Sequence, residues 1–146
     1  MMLTQQQVEI PSGEYVPWSS LWGLSMEKTK RERLEHLGLD IEKVYERFMG
    51  NEEMLDKYLK RFITDKHYER LTSALNERDT QRAFQEAHAL KGLCANLSLI
   101  DISKEMNVCV EYLRVNDLDN AIHMEVTLDE IYEKTIHALE SYFELT

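Results

Sequence analysis

An all-α fold, an up-down four-helix bundle with short accessory N-terminal helices, is what this sequence predicts, on three observations. Both prolines, Pro11 and Pro17, fall in the first 17 residues. From Asn51 to Thr146 there is no proline and a single glycine, Gly92, so backbone breakers are missing from most of the chain. The apolar residues of that stretch recur three and four apart, the period of an amphipathic helix. A Rossmann sheet, a P-loop or a kinase-type phosphate lid is excluded, because each needs several glycines close together. The 146 residues fit one domain, and an apolar fraction of 43% suffices for a core.

Residues 1–26 read as an irregular extension, and 27–146 as the helical domain. The extension holds both prolines, both tryptophans (Trp18 and Trp22) and two of the five glycines. Aromatics of that size are costly to leave in water, so they are expected to tuck against their own domain. Their other use would be as a docking arm. A charged first helix is expected over 27–37, ending at Gly38. Ile41, Val44 and Phe48 follow at helical spacing before Gly50. Asn51 is placed to cap the next helix, with Glu52 and Glu53 in its first turn where the helix dipole favours anions. Leu55, Leu59, Phe62 and Ile63 give that helix its apolar side. Tyr68, Leu71 and Leu75 mark a further short helix, and Asp79 or Thr80 can cap the one after it.

The last three segments are the most regular. Ala83, Ala87, Leu90, Cys94 and Leu97 form one stripe. Leu99, Ile102, Met106, Cys109 and Leu113 form a second. Leu128, Ile131, Thr135, Ala138 and Tyr142 form a third. Stripes of this kind suit antiparallel helices with short connections, and Asn116-Asp117 is the one obvious turn between the second and the third.

The charge balance limits the function. With 27 acidic against 17 basic side chains the formal net charge is −10, which speaks against nucleic acid and against an anionic membrane surface. No apolar run reaches the length of a membrane span, and the N-terminus lacks the pattern of a secretion signal. Cys94 and Cys109 match no zinc spacing and are expected as small buried thiols. His36, His67, His123 and His137 show no metal-binding pattern, so no metal site is expected. A cytoplasmic location is the expectation.

Gln81 to Leu97 is the informative segment. At about 100° per residue, His88 falls roughly 140° from the centre of the core stripe, with Gly92 one turn above it. Gln85 and Asn96 share this outer face, and Ala95 lies between it and the core. Glycine inside a helix costs about 1 kcal/mol against alanine, so Gly92 needs a reason. Removing a side chain one turn from His88 lets another protein approach the imidazole. Lys91, at i+3, can place an ammonium beside whatever His88 carries and stabilise added negative charge. A neutral ring nitrogen can attack phosphorus and hold a phosphoryl group. With no acid–base partner and no nucleotide site in view, the chain would carry phosphate and not generate it, so no enzyme activity is expected.

Ala87-His88-Ala89-Leu90-Lys91-Gly92 resembles the H-x-L-K-G signature of histidine-containing phosphotransfer (Hpt) domains. The likeness continues through Leu93-Cys94-Ala95-Asn96-Leu97 and takes in Phe48-Met49-Gly50-Asn51-Glu52-Glu53, similar to stand-alone bacterial members. It spans roughly residues 38–143. The resemblance implies a four-helix bundle with His88 as phosphoacceptor and Lys91 assisting the phosphoryl group. Gly92 would clear space for a partner, with Gln85, Ala95 and Asn96 as partner contacts. It implies receiver domains and a sensor or hybrid histidine kinase as partners, and no cofactor on this chain, Mg2+ belonging to the receiver. One position departs from the pattern. Most members carry glycine ten residues after the histidine, and this chain has Ser98. Serine can stop a helix by bonding its own backbone, so a shifted turn is expected there, with function kept. The alternative reading of the same face is a helical adaptor, or a degenerate family member, that binds a receiver or kinase without carrying phosphate.

Overall fold

The computed structural model describes residues 7–9, 13, 15–17 and 28–145. Trp18 and Trp22, with the expectation attached to them, lie outside the described residues. The extension read as irregular holds a short antiparallel ribbon, β1 (Gln7–Glu9) with β2 (Tyr15–Pro17), in which Val8 faces Val16. Between the strands Gly13 takes a left-handed φ of +87°, a conformation glycine adopts without steric cost. Three-residue strands are too short for a two-residue period to show in the sequence.

The rest is helical. The first helix, α1, runs Lys28–His36, followed by α2 (Ile41–Arg47), α3 (Glu52–Ile63) and α4 (His67–Asn76). Then come α5 (Thr80–Asn96) and α6 (Ile100–Arg114). Four N-caps share one chemistry: the side chains of Asp40, Asn51, Asp79 and Asp117 accept from the backbone N–H three residues on, at 3.2, 3.0, 3.1 and 3.3 Å. The third stripe falls wholly on the last helix, and one more short helix comes before it. A short α7 (Leu118–His123) precedes α8 (Glu125–Leu145), with the break at Met124. Met124 stays in right-handed helical geometry, so the break needs no glycine or proline, and none marks it.

How these helices end without breakers is a second finding. Five of them close with the same turn, in which one residue adopts positive φ and the next donates its N–H back five residues. The turn residues are Gly38, Met49, Arg78, Ser98 and Asn116. This is the Schellman pattern, usually supplied by glycine, and only one of the five is glycine.

Packing follows the stripes. The most extensive helix contacts are those of α5 with α6 and with α4, while α8 lies against α3 and α6. Ala83, Ala87, Leu90 and Cys94 of α5 and Met106, Cys109, Val110 and Leu113 of α6 are buried in one core with Leu55, Leu59, Leu71 and Leu139. Tyr132 of α8 stacks on Tyr68 of α4, ring centroids 4.2 Å apart, and also meets Phe62 of α3. The Tyr68 hydroxyl donates to Asp129 of α8. The α1–α2 loop is stitched to the α5–α6 turn by two backbone bonds. Asp40 N donates to Ser98 O at 3.1 Å and Ile100 N to Gly38 O at 3.0 Å. That stitch places α2 beside the C-terminal end of α5. Among the described residues, no helix is long and apolar enough to cross a membrane.

Candidate functional site

The outer face of α5 is built by what its inner face must do. With Ala83, Ala87, Leu90 and Cys94 turned wholly into the core, the 3.6-residue period turns Gln85, His88, Gly92, Ala95 and Asn96 to solvent. All five are exposed, and Lys91 is half-buried at the margin. The structure thus brings every residue singled out in the sequence onto one helix surface, including Ala95, which stands further out than its angular position suggested. A Cβ placed at Gly92 would meet nothing within 4 Å. The fold therefore does not require glycine there. Its φ is not left-handed either, so neither packing nor backbone geometry accounts for it.

His88 itself is not isolated. Its ring lies against the ring of Phe84, one turn earlier, with centroids 5.8 Å apart and planes 23° from parallel. Phe84 is half-buried against the core. The guanidinium of Arg114, from α6, covers it at 5.3 Å from the ring centroid. Among the described residues, no group of three or more His, Cys, Asp or Glu is placed to hold a metal ion. Cys94 and Cys109 are buried free thiols, and burial raises both, to about 12 and about 11. Thiols held protonated in this way are poor nucleophiles.

His88 is thus a solvent-facing histidine beside an unfilled position, and comparison with known families gives the class. The Hpt domain family model matches residues 32–138. The chain belongs to the Hpt domain family. No curated protein and no solved structure matches it. The family acts in phosphotransfer of two-component signalling, where its members meet receiver domains and kinases.

This Hpt domain departs from its family at Ser98, and the structure corrects the shifted turn expected there. Ser98 takes the left-handed conformation itself, at φ +53°, and Leu99 N still donates to Cys94 O at 3.0 Å. Its hydroxyl accepts from Arg47 Nη1 at 3.2 Å. The same nitrogen donates to the carbonyls of Ala95 and Asn96 at 2.7 Å each. Arg47 thus caps the negative end of the helix that carries His88. Sequence reasoning missed both Arg47 and Phe84. The Arg47 contact spans about 50 residues of chain and leaves no local signal, whereas Phe84 stands four residues before His88, a spacing that pairs side chains on any helix.

Beyond Arg47 the site broadens into an apolar groove. Phe48, Met54, Tyr58, Leu93 and Leu97 line it, with Asn96 at its edge and Arg47 and Arg61 as its cations. Met54 and Tyr58 are exposed.

Proposed function

We propose that this protein is a phosphocarrier of a bacterial phosphorelay working in the cytoplasm, with His88 as the residue that holds the phosphoryl group. The observation that carries this reading is an imidazole standing in solvent mid-helix, beside a position that glycine leaves empty without any need of the fold. In the transfer step, the lone pair of the neutral imidazole attacks the phosphorus of a receiver's aspartyl phosphate. The P–N bond forms as the P–O bond breaks, and the aspartate leaves as carboxylate. The second ring nitrogen keeps its proton until solvent takes it. A further receiver's aspartate reverses the step. Lys91 supports the phosphoryl oxygens by charge, and Mg2+ is supplied on the receiver side, this chain carrying no cofactor. The bundle is read as an up-down four-helix bundle with short accessory helices before it. Gln85, Ala95 and Asn96, with the groove beyond them, form the docking surface: an apolar patch with polar margins suits a transient partner.

The adaptor reading loses ground on one observation. Clearance at Gly92 serves either reading, but an adaptor that carries no phosphate has no need of an exposed imidazole beside it. The test is incubation with a receiver phosphorylated by acetyl phosphate, following acid-labile label on the chain. Wild type takes up label and His88→Gln takes up none. Equal labelling of the two proteins would sink the reading.

A further inference from the structure

The environment of His88 is lopsided. On its N-terminal side stands an aromatic ring, and on its C-terminal side, at Gly92, nothing stands within 4 Å of where a Cβ would be. Side chains in a helix lean toward its N-terminus, onto the residues three and four positions before. The histidine ring therefore leans onto Phe84. Phe84 is itself a fixed surface: it is packed against the core. Its ring is covered by Arg114 of α6, and Arg114 is held by an ion pair with Glu111 at 3.3 Å. Phe84 is thus held between the core beneath it and the exposed guanidinium of Arg114, and the imidazole lies against its ring.

We infer that Phe84 is a positioning residue for phosphoryl transfer at His88, an inference that rests on the phosphocarrier reading. The physical reason lies in where the reacting electrons are. The nucleophilic lone pair of a neutral imidazole lies in the plane of the ring. A wall against the ring face leaves that lone pair free, while it removes the alternative rotamers that would swing it out of line. Near-parallel offset rings at this separation attract one another. The open side at Gly92 then admits the receiver along the edge of a ring whose direction is already set. Misplacement of a reacting atom by an ångström can cost as much as about a hundredfold in rate, so a rotamer wall acts on the chemical step and not on partner affinity.

The test uses Phe84→Leu, which keeps an apolar anchor and removes the ring, and Phe84→Tyr, which restores it. Transfer is measured from a receiver phosphorylated by acetyl phosphate, over a range of receiver concentration. For Phe84→Leu we expect a roughly tenfold loss of maximal rate at unchanged KM, with Phe84→Tyr back at the wild-type rate. In parallel, NMR of the His88 ring protons should show a ring-current displacement in wild type and Phe84→Tyr that Phe84→Leu loses. The inference is overturned if Phe84→Leu transfers at the wild-type rate, or if Phe84→Tyr is as slow as Phe84→Leu. A change confined to KM would also overturn it, because that would make Phe84 a partner contact. Failure of the parent reading has a different signature. There, wild type takes no more label than His88→Gln even though the ring-current displacement is present, and a stack then exists without this role.

Discussion

On the inner face of α5, Ala83, Ala87, Leu90 and Cys94 are wholly out of water, whereas Gln85, His88, Gly92, Ala95 and Asn96 on the outer face stand in it. The inner residues differ in size yet all are buried in the one core, on the helix that packs most extensively against α4 and α6. The outer residues are matched by little within the chain: His88 touches Phe84, and Gly92 faces open space. One face is explained by folding alone, and the other is not. Stability and transfer should therefore respond to different halves of the same helix, and substitutions can separate them.

The largest effect is expected inside. Leu90 is fully buried two residues from His88, so Leu90→Ala should cost about 2–5 kcal/mol of stability through lost burial and a cavity. Denaturant unfolding measures this, and label uptake per folded molecule should stay close to wild type. A loss under about 1 kcal/mol would show that the inner face is not the closely packed one.

The buried phenols extend the same contrast to pH. Burial above all, and then the charge of Asp65, pushes Tyr132 up to about 12. Burial followed by Asp129 raises Tyr68 well beyond the ordinary tyrosine range, and burial followed by Glu52 does the same for Tyr45. The unfolded chain loses these protons near pH 10. Above that value the folded state binds more protons than the unfolded one, so stability falls as pH rises. It should be fully present below about pH 9 and drain away from about pH 10 toward 12. Urea midpoints across this range, read beside phenolate absorbance, check it. Tyrosines that titrate at the ordinary value while the helices remain would contradict it.

Much of this was legible from the residues alone. The inner stripe of α5 announced itself by spacing, Asn51 and Asp79 by their cap chemistry, and His88 with Gly92 by their angle from the stripe. The break at Met124 was not legible, because its backbone stays helical and no breaker residue marks it. Ser98 was misread for a related reason. Sequence suggests which residues adopt a left-handed turn at low cost, but it does not show a distant arginine holding one that does not. Phe84 was within reach by the four-residue rule, although it lies outside the Ala83–Leu97 stripe.

A smaller effect is expected at the rim of the site. Ser98→Gly relieves a side chain held at φ +53° while loosening the unfolded chain. A net gain of about 0.5–1 kcal/mol should result. Arg47 keeps its two bonds to the carbonyls of Ala95 and Asn96, so the helix end and the transfer rate should both persist. Thermal unfolding and label uptake measure the two halves of this expectation. A destabilised Ser98→Gly would mean that the serine hydroxyl, and not the Arg47 cap, holds the turn.

The central claim is that the outer face of α5 is kept open for a partner and not for the fold, and Gly92→Leu tests it most directly. Transfer from a phosphorylated receiver and the melting temperature are measured on the same preparation. The account predicts markedly slower transfer with an unchanged or higher melting temperature, since leucine gains up to about 1 kcal/mol over glycine inside a helix. A variant that melts early yet transfers at the wild-type rate per folded molecule would contradict it.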